Sequence, residues 1–180
     1  MKEVIIAINA SVNTKWRTED LHKEINEFVK INREKEIQVS LYLFNQTVTP
    51  LCEHTKVSDL TIDKKDISTF GELDFYGSIG TILERVSDRV NHLTKNKKPD
   101  KTFFCIITEN YKDLPGNYSK EEIGTFITYQ VEDYEWDFLF FGIDVKRDAK
   151  KIGIKSDNIY SVDCSSDGFK KVFDVISKKL

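Results

Sequence analysis

The residues with the most chemistry to offer stand where an apolar run stops. Val4-Ile5-Ile6-Ala7-Ile8 gives way to Asn9-Ala10-Ser11-Val12-Asn13, a cluster of small, mostly oxygen-bearing side chains. An α/β protein often keeps a ligand where a buried strand ends, and oxygen donors are what a hard cation needs. The cluster can hold a metal ion, hold something else, or be what remains of a site that has lost its ligand. Cys52 and His54 lie two apart, so a regular strand points both to one face. A cysteine beside a histidine has the composition of a thiol nucleophile and its base, although a half-exposed edge strand also produces such a pair by coincidence. Glu109, Asp144 and Asp163 each follow an apolar run and suggest an acid site, but strand-end caps explain them equally well.

Other chemistries lack their parts. No Gly-x-Gly-x-x-Gly follows the first apolar run and no Walker lysine motif occurs, so a nucleotide enzyme would have no phosphate cradle. His22, His54 and His92 form no metal-ligand pattern, and Cys52, Cys105 and Cys164 are an odd set without CxxC spacing. The expectation is reduced thiols in a cytoplasmic protein. Over 180 residues the net charge is −3, with lysines and acids interleaved, which argues against a nucleic-acid partner. The densest basic spots, Lys95-Asn96-Lys97-Lys98 and Lys178-Lys179, fall where a helix or the chain should end and read as solvated caps. A strand beginning at Glu3 leaves no space for a signal peptide, and no apolar run approaches the ~18 residues of a membrane span.

The elements that must position the cluster follow from periodicity. Continuous apolar runs at Glu3–Asn9, Ile37–Phe44, Thr102–Thr108, Asp137–Ile143 and Ile159–Val162 read as strands buried on both faces. Thr47–Lys56, after a turn at Asn45-Gln46, reads as an antiparallel edge strand. Helical stripes mark Thr18–Asn32, with Thr18 as N-cap, then Phe75–Leu93, a helix opened by the capping-box spacing Ser119 to Glu122, Lys146–Ile152, and Ser166–Leu180. Strands alternating with helices predict one domain over residues 1–180. Its fold class is a doubly wound α/β, a mostly parallel six-stranded sheet with one antiparallel edge strand and helices on both faces. Ligands of such sheets sit at the carboxyl ends of the strands, near the switch in strand order. That end collects Asn9–Asn13, Thr108–Asn110 and Asp144.

These residues resemble the von Willebrand factor A (vWA) domain, and the chain is similar to its stand-alone bacterial and prophage members. Asn9-Ala10-Ser11-Val12-Asn13 stands where the family has D-x-S-x-S. Gly71-Glu72-Leu73-Asp74-Phe75-Tyr76-Gly77-Ser78-Ile79-Gly80 resembles its G-S-T-A-L-x-D-A-I-G, and Ile107-Thr108-Glu109-Asn110 its I-T-D-G. Tyr118-Ser119-Lys120-Glu121-Glu122-Ile123 and Trp136-Asp137-Phe138-Leu139-Phe140-Phe141-Gly142 resemble later family segments, so the likeness spans nearly the whole chain.

The resemblance implies a metal-ion-dependent adhesion site, in which hydroxyls bind Mg²⁺ directly and two aspartates hold waters and balance charge. This sequence keeps one direct ligand, Ser11. Asn13 offers a carbonyl, Asn9 is uncharged, and Glu109 carries its carboxylate about 1.5 Å further out. Leu73 stands at the threonine position and cannot ligate, while Asp74 substitutes only if the loop shifts register. The expectation is a degenerate, metal-free pocket closed by hydrogen bonds, in a module that binds another protein. One alternative is an Mg²⁺-dependent module using Ser11, Asn13, Glu109 and Asp74; another is a small Rossmann-like hydrolase. Partner contacts are expected from Trp16, Phe70 and Tyr111 on the same loops, with Tyr76 and Phe75 able to face inward instead. Trp16→Ala is then expected to weaken binding without unfolding the domain. A homo-oligomer is left open.

Overall fold

The computed structural model describes residues 1–109 and 116–180. Six strands form one sheet in the order β3-β2-β1-β4-β5-β6: β1 Lys2–Asn9, β2 Ile37–Phe44, β3 Val48–Lys56, β4 Lys101–Ile107, β5 Asp137–Gly142 and β6 Ile159–Ser161. All neighbours pair in parallel except β3, which runs antiparallel to β2 at the edge. Because β1 pairs with both β2 and β4, the strand order reverses there, and the crevice between the ends of β1 and β4 is the switch point.

Alternation along the strands divides the core into two layers. Val4, Ile6 and Ile8 point to one face, where Leu21, Ile25 and Phe28 of α1 (Thr18–Asn32) meet Phe169, Val172 and Ile176 of α5 (Ser166–Lys179). Ile5 and Ala7 point to the other, covered by α2 (Phe75–His92), α3 (Lys120–Tyr134) and the short α4 (Lys146–Lys151). Ser119 and Glu122 form the reciprocal capping box that their spacing predicts, satisfying two N–H groups that the first turn of α3 leaves open.

Two local expectations fail for identifiable reasons. Thr18 does not cap α1: it is the first helical residue, and its hydroxyl donates instead to the Ile67 carbonyl at 3.3 Å. Cys52 and His54 do not share a face. The β2–β3 ladder shifts register near Leu41 and His54 takes a φ of 45°, which interrupts the alternation. Cys52 therefore packs against the α1–α5 layer, and His54 turns to the α2 layer, where its Nδ1 lies 2.9 Å from Arg89 Nη1 and 3.3 Å from Glu3 Oε1. Burial pushes the Cys52 thiol up to about 11, the opposite of what a nucleophile requires.

Candidate functional site at the carboxyl ends of the strands

At the switch point the end of β1 is tied directly to the end of β4. The Asn9 side chain is 1% exposed and both of its polar ends are occupied. Its Oδ1 accepts the Ser11 backbone N–H at 2.9 Å, and its Nδ2 donates to Thr108 Oγ1 at 3.0 Å. The Ser11 N–H can only face an acceptor, so it sets the carboxamide's orientation and leaves the NH₂ to bridge the crevice. An aspartate could make that second bond only by accepting from the Thr108 hydroxyl.

Glu109 is turned elsewhere. Its Oε2 accepts the Lys15 N–H at 2.8 Å and its Oε1 the Cys164 N–H at 3.1 Å, so the longer arm clasps the loop after β1 to the loop before α5. Asp74 caps α2: its Oδ1 accepts the Gly77 N–H at 2.9 Å. On its other side lies Gly116, where a Cβ would come within 2.4 Å of both carboxylate oxygens. Leu73 is buried in the α2-side core. Asn13 is exposed, while the Ser11 hydroxyl is fully buried with no hydrogen-bond partner among the described residues.

Among the described residues the donor set falls short of what a hard dication needs. Mg²⁺ needs near-octahedral oxygen ligands with anionic compensation. Here the crevice presents an amide NH₂ and a hydroxyl, and the two nearby carboxylates are committed to backbone N–H groups. Among the described residues no group of three or more His, Cys, Asp or Glu side chains is placed to hold a metal. Glu109→Gln tests the clasp: an amide must turn an NH₂ toward either the Lys15 or the Cys164 N–H. The expected loss is about 1–2 kcal/mol in urea denaturation; a variant as stable as wild type would show that the clasp contributes nothing.

The aromatic expectations divide. Trp16 is a correction: it is 6% exposed, its Nε1 donates to the Asn9 carbonyl at 2.8 Å, and its ring meets Phe169 edge-on. The last carbonyl of β1 needs a donor and the indole supplies one while burying its ring, so the side chain folds under the loop. Tyr76 and Phe75 face inward. Phe70 stands 43% exposed, its backbone held by the Ala10 carbonyl and the Asn45 side chain. Tyr111 lies outside the described residues. Two exposed apolar side chains were not anticipated: Val12 at 59%, whose N–H bonds to the Gly71 carbonyl, and Ile143 at 44%, which the apolar run places in a buried strand but which follows β5, ending at Gly142.

This architecture, with loops converging on the β1–β4 crevice, is the vWA-like fold. The vWF domain of the type V pili tip protein Mfa5 from Porphyromonas gingivalis aligns over 99% of this chain and 94% of its own, with 10% identity and a TM-score of 0.68. A point mutant of the PilB minor pilin from Streptococcus sanguinis reaches a TM-score of 0.70 at 12% identity, and proximal thread matrix protein 1 of the mussel byssus 0.62 at 15%. Each of those two aligns over 99% of this chain, which spans 61% of the pilin and 45% of the byssus protein. No protein-family model matches the sequence, and no curated protein does. Among the described residues no helix is long and apolar enough to cross a membrane.

Proposed function

We propose that the chain is a non-enzymatic protein-interaction module of vWA type that recognises its partner without a metal ion, through the carboxyl-end loops. The observation that carries this reading is the Asn9 bridge, which fills the switch point with hydrogen bonds while Val12, Phe70 and Ile143 stand exposed around it. Exposed apolar side chains on loops held by a rigid sheet supply contact area at small ordering cost. The similar pilus proteins support a binding role in general, and the net charge of −3 favours a protein over a nucleic acid. Three free cysteines suit a reducing, cytoplasmic setting. The partner could equally be a second copy.

One observation favours a second reading, an Mg²⁺-dependent module: the Ser11 hydroxyl is buried without a partner among the described residues, at the position where the resembled family binds its ion. Thermal unfolding in rising MgCl₂ or MnCl₂, against NaCl of equal ionic strength, separates the two. The metal-free reading expects superimposable curves. A saturable rise in Tm, equivalent to about 2.7 kcal/mol at a hundred times the Kd, would establish the ion. The rim is tested with Val12→Asp/Phe70→Asp, which should keep the wild-type Tm yet fail to retain a protein that the immobilised wild-type chain captures. Equal capture by both would remove these loops from the interface.

A further inference from the structure

Helix α3 buries Ile123, Ile127 and Gln130 and leaves a second stripe uncovered. Tyr118, Phe126 and Tyr129, with Glu121, Glu122 and Thr125, line an open groove of ≈ 520 Å³. The rings are held in place. Tyr118 packs over Gly80 of α2, where any Cβ would come 2.5 Å from the ring, so the glycine is what admits it. Tyr129 is 49% exposed, and it meets Tyr134 edge-on with centroids 5.4 Å apart.

The rim of the groove is anionic. Glu121 and Glu122 are the charged residues that line it, while Glu132 and Asp133 of α3 line the adjoining groove. No basic side chain lines the groove among the described residues. Burial, and after it the Glu84 carboxylate of α2, raises the Tyr118 hydroxyl to about 12 and keeps it a donor. Glu121 pairs with Lys120, an exposed contact that contributes little and can exchange. Lys150 and Lys151 lie beyond Tyr129, along the adjoining groove between α3 and α4.

Aromatic faces ringed by carboxylates select for cations on apolar stems. Ring faces attract ammonium and guanidinium groups, and the carboxylates steer them and penalise like charge. A neutral apolar segment would strip water from Glu121 and Glu122 and leave them only their exposed partners, Lys120 and Ser119. We propose that the α3 groove docks a basic, apolar peptide segment of a partner protein, in which lysines or arginines flank a large apolar anchor. This surface holds whether or not the carboxyl-end rim is used.

Two fluorescein-labelled amphipathic peptides with one leucine pattern, one filled with lysine and the other with glutamate, test it by anisotropy. The lysine peptide should bind on the order of tenfold or more tightly than the glutamate peptide, and added salt should weaken it. Tyr129→Ser and Glu121→Lys should each lower its affinity on the order of tenfold with Tm unchanged, and Val12→Asp should leave it intact. Amide resonances that move on titration should cluster between residues 118 and 129. Equal binding of both peptides, no binding, indifference to the two variants, or shifts centred elsewhere would overturn the proposal. So would self-association that Tyr129→Ser abolishes, which would assign the groove to a second copy. Failure of the rim variants with α3 binding intact, or the reverse, tells the two surfaces apart.

Discussion

Trp16→Ala is expected to cost roughly 3–5 kcal/mol of stability, the range for truncating a buried aromatic. Three losses add. The ring leaves a cavity against Phe169, the α1–α5 layer loses apolar burial, and the Asn9 carbonyl loses its indole donor. The last term reaches the candidate site, because Asn9 also carries the bridge to Thr108 and the bond to Ser11. Urea denaturation should show a lower midpoint with an unchanged slope. Trp16→Phe separates the contributions: it keeps most of the ring and loses only the N–H, for about 0.5–1.5 kcal/mol. An alanine variant within 0.5 kcal/mol of wild type, about the range for surface substitutions, would mean the indole is not part of the core. A variant that loses binding will therefore be uninformative about contact unless its folded fraction is measured alongside.

The second large effect lies at the opposite end of the sheet. Glu3 on β1 is 0% exposed, and its carboxylate is gripped by both terminal nitrogens of Arg89 from α2, with His54 of β3 against the same pair. Three elements meet on one buried charge. Removing a single partner leaves that charge uncompensated, so Arg89→Ala is expected to destabilise the fold by about 3–5 kcal/mol. Replacing both partners behaves differently. Glu3→Leu/Arg89→Leu removes the desolvation cost together with the attraction and should lie close to wild type or above it. A double-mutant cycle of Glu3→Leu, Arg89→Leu and the double variant, read by urea denaturation, gives the coupling directly. If Arg89→Ala and the double variant lose the same amount, the pair acts through packing alone.

Neither result was visible in the linear pattern. Glu3 reads as the first residue of an apolar strand, and the only hint of its role is a carboxylate in a strand buried on both faces. Arg89 reads as a basic residue in the last turn of a helix, where dipole and solvent explain it sufficiently. His54 reads as the partner of Cys52, until a register shift and one positive φ turn it to the other face.

The sequence by itself determined the elements and their order, since these depend on neighbours within a turn or two. Apolar runs specified the strands, i, i+3, i+4 stripes the helices, and Ser119 with Glu122 a helix start correct to the residue. It also supplied the side-chain types on which the metal-free proposal rests: an asparagine where the resembled family has a carboxylate, a leucine where it has a hydroxyl. Only the tertiary structure decided what the remaining groups do. Glu109 accepts N–H groups from Lys15 and Cys164, which lie 94 and 55 residues away along the chain. Trp16 chose a carbonyl over solvent because the strand end offered one. A side chain's type is a local fact, whereas its partner is set by where the sheet brings distant segments together, and no periodicity in the chain encodes that meeting.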